Sequence, residues 1–168
     1  MEIRPIRADE GLQLRDSRLR ALADAPTAFG ETPAQAQARP EAFWHERAAQ
    51  NAAGIEAITF VAVEAGHWFG MMTGVFHPDD PQTVTLLNFW IDPAARGLHL
   101  DRALLKATTG WARTRGATRL ELWVTENSRT EILYKRWKFV RTGKTKPHTS
   151  DLSLHAVHMV RKLNVPGP

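Results

Sequence analysis

Apolar residues recur along this chain with two periods, and the switches between them outline the elements. Residues 2–7 alternate polar and apolar and predict a short strand. Residues 9–24 carry Leu12, Leu19, Leu22 and Ala23 at helical spacing, with Pro26 to stop the helix. Residues 25–32, with Phe29-Gly30 inside, predict a loop. A second helix is predicted from near Pro40, a good first-turn residue, through Phe43, Trp44, Arg47 and Ala48, ending before Gly54. Residues 56–64 and 68–76 predict a hairpin about Ala65-Gly66-His67. Two prolines and two aspartates make 77–81 a loop, and the Val-, Thr- and Leu-rich stretch 83–91 predicts a buried strand. The clearest helix follows, with Leu100, Ala103, Leu104, Ala107 and Trp111 on one face and Arg113, Arg115 and Gly116 at its end. Residues 118–124 alternate as a strand. Ser128 and Glu131 have the spacing of a capping box and open a helix through Trp137. Residues 139–142 and 151–163 predict two last strands.

A run of antiparallel strands followed by a strand-helix-strand crossover implies an α/β (α+β) chain: a mixed, mostly antiparallel twisted sheet with helices on both faces. The chain has 168 residues, enough for one domain over 1–163 and a loose tail over 164–168. Hydrophobic residues are 43% and charged residues 24%, which excludes a disordered chain. The net charge of +4 is mild and spread out, so nucleic acid is not expected as a partner. No cysteine is present, which removes disulfides, thiolate metal sites and a cysteine nucleophile. The first residues lack the apolar run of a signal peptide, and the apolar stretch 58–63 is too short to span a bilayer. A cytoplasmic protein without a membrane partner is therefore expected.

The candidate chemistry lies in residues 89–102. A buried strand ends in Asp92-Pro93, an arginine-containing turn follows, and a long amphipathic helix begins. Unpaired N–H groups and the positive end of a helix dipole meet at such a junction, and a phosphate can bind there. The run resembles the cofactor segment of the GNAT N-acetyltransferase superfamily, whose Asp-Pro, Arg-Gly and Leu-Leu positions are matched by Asp92, Pro93, Arg96, Gly97, Leu104 and Leu105. Asn127, Leu133, Tyr134 and Phe139 match a second segment of that family.

The resemblance implies an acetyl-CoA-dependent transfer to the amine of a small molecule or peptide. It also implies roles. Phe89, Trp90 and Ile91 would pair with the pantetheine, and a backbone N–H near Trp90 or Ile91 would serve the oxyanion. Gly97, Leu98, His99, Leu100, Asp101 and Arg102 would cradle the pyrophosphate, with Arg96 beside them. Asn127 would bond the cofactor arm. Tyr134, the chain's one tyrosine, would be the general acid. Phe29 and Asn88 would wall the acceptor site. With no cysteine and no evident Ser–His pair, transfer would be direct. Homodimers are common in the family, and the oligomeric state stays open.

His99, Asp101 and Lys138 stand where the family usually has glycine, and the usual carboxylate base is missing, Asn88 being unable to act as one. Asp101 either opposes a phosphate or supports the helix dipole. These departures leave a second reading, a binding module that has lost catalysis. His155 and His158, three apart on a strand, face opposite sides, so no metal site is expected. Trp44, Trp68 and Trp111 read as core or rim packing. Lys144, Lys146 and His148 read as a solvated basic loop.

Overall fold

The computed structural model describes residues 1–164. The tail expected over 164–168 lies, beyond Asn164, outside the described residues. The elements run β1 (Glu2–Pro5), α1 (Gly11–Asp24), α2 (Pro33–Ala38), α3 (Glu41–Ala53), β2 (Ala57–Glu64), β3 (His67–His77), β4 (Asp80–Ile91), α4 (Leu100–Thr114), β5 (Arg119–Thr125), α5 (Arg129–Arg136), β6 (Val140–Pro147) and β7 (His155–Lys162). A short 3₁₀ turn at Pro93–Ala95 separates β4 from α4.

The strands form one sheet in the order β1-β2-β3-β4-β5-β7-β6. Neighbours are antiparallel except β4 and β5, which are parallel and pair only from Thr83–Thr85 to Arg119–Glu121. Beyond those three residues the two strands part. The cause lies in β4. Met71 faces Trp90 but Thr73 faces Leu87, so the ladder with β3 takes up an extra residue. Asn88 holds the left-handed backbone of that bulge, with φ of 54°.

Helices cover both faces, as the pattern predicts. α1, α2 and α3 bury Leu14, Leu22, Ala36 and Trp44 against Val61, Met71 and Trp90. α4 and α5 bury Leu104, Leu105 and Tyr134 against Leu86, Leu120, Leu122 and Met159. α4 lies close on β3 because Gly74 is there, where a Cβ would come within 2.9 Å of Thr108 Cγ2 and 3.2 Å of Trp111.

Several local expectations change. In α1 the buried stripe is Gly11, Leu14, Ser17, Ala21 and Leu22, and Leu12 is exposed. Small residues win that face because α3 crosses it closely. A Cβ on Gly11 would stand 2.6 Å from His45 Nδ1. α2 was not anticipated, although Thr32-Pro33-Ala34-Gln35 carries its signal: Thr32 and Gln35 form a full capping box with Pro33 in the first turn. The expected loop 77–81 is a tight hairpin whose flanking strands run through His77 and Asp80. β6 is longer than expected and reaches Pro147, while β7 starts only at His155.

Candidate active site

A cavity of about 680 Å³ occupies the gap between the parted ends of β4 and β5. Leu86, Asn88 and Phe89 line one side, Trp123, Val124 and Thr125 the other. Tyr134 of α5 enters from one face of the sheet, and residues of α1, α3 and the 25–31 loop close the other.

Tyr134 is 5% exposed and ringed by Phe89, Trp137 and Phe139, with centroids 6.0, 5.5 and 5.4 Å away. Among the described residues nothing bonds its hydroxyl. Burial pushes the phenol above its ordinary pKa, so it stays protonated at neutral pH. α5 is held by its N-terminus. Ser128 accepts from Glu131 N–H at 3.1 Å. The reciprocal arm of the expected capping box goes one residue further back: Glu131 Oε2 accepts from Asn127 N–H at 2.6 Å. Glu131 is buried and also takes Arg141 at 2.5 Å and Lys135 at 3.1 Å. The Arg141 hydrogen bond leads the effects that hold its carboxyl at about 2. Asn127 is left-handed, with φ of 59°, and its side chain is exposed.

Backbone conformation explains two of the three missing glycines, one in the turn before α4 and one after α5. Gly97 has φ of 89° and His99 of 58°, so both hold left-handed backbone. Lys138, at φ 68°, does the same after α5. Glycine suits such positions, and His and Lys occupy them here at a cost of roughly 1–2 kcal/mol each. Asp101 differs. It sits in the first turn of α4, where a carboxylate meets the positive end of the dipole. Among the described residues the N–H groups of Gly97, His99, Leu100, Asp101 and Arg102 carry no hydrogen bond. Leu98 N–H is bonded to Ala95 O at 3.3 Å and is not free.

Three expectations for β4 and its neighbours need refining. Asp92 N–H donates to Phe69 O at 2.9 Å, and antiparallel alternation then points the main chain of Trp90 at β3 and that of Ile91 into the gap. Trp90 also spends its indole N–H on Asp24, at 3.0 Å. Arg96 bonds the same Asp24 carboxylate and does not reach over the turn. Arg102, exposed and without an ion pair among the described residues, is the free cation there.

Asn88 lines the cavity, but its side chain is committed: Oδ1 accepts from Arg18 at 2.7 Å and Nδ2 donates to Thr73 at 3.2 Å. It belongs to a chain of hydrogen bonds from Asn51 through Thr59 and Thr73 to Arg18, Glu31 and Arg39. This network fixes the bulge. Burial pushes the Glu31 carboxyl up, but bonds from Arg39 and Arg18 outweigh it and leave it below the usual carboxylate range. Glu31 is the carboxylate that lines the cavity, and it stays ionised and paired.

Phe29 lines the cavity too, 7% exposed, with the Arg18 guanidinium 4.5 Å over its ring. Its loop is strapped to the far wall. Thr125, Thr149 and Ser150 hydroxyls donate to the carbonyls of Thr27, Gly30 and Phe29 at 2.6, 2.8 and 3.0 Å.

The basic segment 144–148 is strand rather than loop up to Pro147, with its lysines exposed as expected but its histidine buried. Lys144 and Lys146 are on β6, Lys146 sits 4.3 Å over the Trp123 ring, and His148 is buried at 5%. His148 also forms the Ser–His pair the sequence did not reveal. Ser150 Oγ lies 3.0 Å from Nδ1, and Ser150 N–H reaches the same nitrogen at 3.3 Å. Sequence spacing gave no sign of burial here, because it depends on the loop strapped across it. His155 and His158 form no metal cluster, and no group of potential metal ligands occurs among the described residues. No helix among them is long and apolar enough to cross a membrane.

The fold is shared with solved acetyltransferases. A Streptococcus pneumoniae acetyltransferase of the GNAT family superposes with a TM-score of 0.80 at 16% identity, over 97% of this chain and 99% of that one. The Salmonella typhimurium protein yncA, whose structure holds its cofactor acetyl-CoA, gives 0.78 at 16% identity, over 100% and 96%. A GCN5-related N-acetyltransferase from Kribbella flavida gives 0.73 at 21% identity, over 96% and 97%. No curated protein matches the chain. The profile of the Acetyltransferase (GNAT) family matches residues 19–139, a span from α1 to the end of the Tyr134 segment that contains the bulge, the turn and most of the cavity wall. The chain belongs to the GNAT acetyltransferase family.

Proposed function

We propose that this protein transfers the acetyl group of acetyl-CoA directly to a primary amine, with Tyr134 as general acid. The observation that carries this reading is the Tyr134 phenol, buried, protonated and without a partner among the described residues, on the wall of the gap between β4 and β5. Acetyl-CoA supplies the activated thioester. The residues present fit it. Five consecutive-turn N–H groups from Gly97 to Arg102, Leu98 apart, stand free for a pyrophosphate at the start of a 15-residue helix. His99 keeps the left-handed shape that glycine would give, which favours a working turn over a degenerate one. Ile91 offers main-chain groups to the pantetheine, and Asn127 an exposed amide. Arg102 adds charge, joined by Arg96 if it leaves Asp24.

Within this arrangement a C–N bond forms to the acceptor amine as the C–S bond breaks. The amine gives up one proton, and Tyr134 delivers one to the departing sulfur. The Ile91 N–H, which points away from β3, would be the donor to the oxyanion. Glu31 does not serve as base, because Arg18 and Arg39 hold its carboxylate and keep its proton affinity below the usual range; the amine proton leaves through water. The Ser150 hydroxyl is spent on the Phe29 carbonyl of the 27–30 loop, consistent with direct transfer.

Thermal unfolding with and without acetyl-CoA tests the cofactor reading. At about 100-fold excess over the dissociation constant, binding adds about 2.7 kcal/mol, a rise of roughly 5–10 °C. Tyr134→Phe should then lower kcat by about 10²–10⁴ while leaving that rise intact. No rise sinks acetyl-CoA binding, and an undiminished kcat sinks Tyr134.

A further inference from the structure

Charge around the cavity is uneven. Arg18, Arg39, Arg47, Arg129 and Lys146 line it against the single carboxylate of Glu31. Glu31 already holds both Arg18, at 3.0 Å, and Arg39, at 2.6 Å, so this triad keeps a surplus positive charge. Among the described residues Arg47 and Lys146 have no carboxylate partner. Each lies over an aromatic ring of the same cavity, Arg47 at 5.3 Å from the Phe43 centroid and Lys146 at 4.3 Å from that of Trp123. Both cations are exposed, and the ring faces hold them at the rim of the cavity.

His148 adds a directed donor in one of its two neutral tautomers: with the Ser150 Oγ proton given to Phe29 O, Nδ1 either accepts from Ser150 N–H at 3.3 Å, which puts the ring proton on Nε2, or donates to Ser150 Oγ at 3.0 Å. Nε2 has no partner among the described residues, in a side chain 5% exposed on the cavity wall. Arg47, Lys146 and His148 come from α3 and from β6 and its outgoing loop. The 27–30 loop, strapped to Thr149 and Ser150, lines the same cavity.

We propose that the acceptor is a small amino acid, whose carboxylate is received by Arg47, Lys146 and His148 Nε2–H while its amine faces the thioester. This rests on the transferase reading above. Each reaction would yield an N-acetylated amino acid and a free thiol. The aromatic rings beside the cations, Phe43, Trp44 and Trp123, favour an apolar side chain.

The test compares L-leucine and L-phenylalanine with their α-amides and with their decarboxylated amines. Each is titrated calorimetrically into protein saturated with CoA, then assayed with acetyl-CoA by thiol release. The amide's amino group is less basic than that of the acid and the decarboxylated amine's about as basic or more, so a preference over both reports the carboxylate. The acids should bind and react about ten- to a hundredfold better, as expected for losing one charge-assisted contact. Lys146→Ala and Arg47→Ala should each erase about tenfold of that preference for the acids over the decarboxylated amines. Equal or better use of the neutral amines overturns the proposal, and so does a preference for peptides with acidic first residues. Binding of none of these ligands, in protein that still takes up CoA, overturns it as well and leaves the cofactor reading standing. Failure to bind CoA removes both.

Discussion

Replacing Glu131 by glutamine tests how the site is held in place. Its carboxylate, 1% exposed, accepts from Arg141, Lys135 and the Asn127 N–H, and so ties β6 to the start of the helix that carries Tyr134. The Arg141 bond leads the effects that lower its pKa from 4.5 to about 2. At about 1.4 kcal/mol per tenfold change in proton affinity, that difference is worth about 3 kcal/mol of stability at neutral pH. The Arg141 and Lys135 side chains are 36% and 53% exposed, so solvent screening trims the figure to about 2 kcal/mol. Because the folded pKa is depressed, this stabilisation is complete above the unfolded value and is lost as pH falls from 4.5 toward 2. Glu131→Gln should therefore lower Tm at pH 7 by roughly 4–8 °C. Urea titrations at pH 7, 5, 4 and 3.5 should show the gap between the two proteins constant at first and then narrowing. A gap below about 0.5 kcal/mol at pH 7, or one that does not narrow by pH 3.5, refutes the reasoning.

Three further outcomes follow from the geometry. His99→Val should cost about 1–2 kcal/mol relative to His99→Gly, since a β-branched residue tolerates left-handed backbone worst; equal urea midpoints would mean the turn is not held left-handed. Gly74→Ala should cost about 1–3 kcal/mol by overpacking α4 against β3, and an unchanged denaturation midpoint would contradict the 2.9 Å approach to Thr108. Because burial raises the Tyr134 pKa, its ionisation should remove no activity up to about pH 10; a rate that falls below pH 9 in wild type, with binding intact, would place the acid elsewhere.

By itself the sequence determined the elements whose signals are local. Periodicity marked α4 and β5, Gly66 marked a hairpin, Ser128 and Glu131 marked α5, and Asp92, Arg96, Asn127 and Tyr134 carried the family. Local signals also exist for α2, in Thr32 and Gln35, and were outweighed by the loop-like composition around them. The buried face of α1 was not legible, because small residues there answer to a partner helix and not to hydrophobicity. The site was decided by tertiary structure. A single left-handed residue, Asn88, bulges β4, parts it from β5 and opens the cavity. Arg96 is drawn to Asp24, 72 residues away, and His148 is buried by a loop strapped over it from residues 27–30. Spacing along the chain encodes what a residue's immediate neighbours dictate. Which charge is spent, which N–H stays free and which ring loses its water depend on contacts between segments far apart in sequence, and these exist only once the sheet has formed.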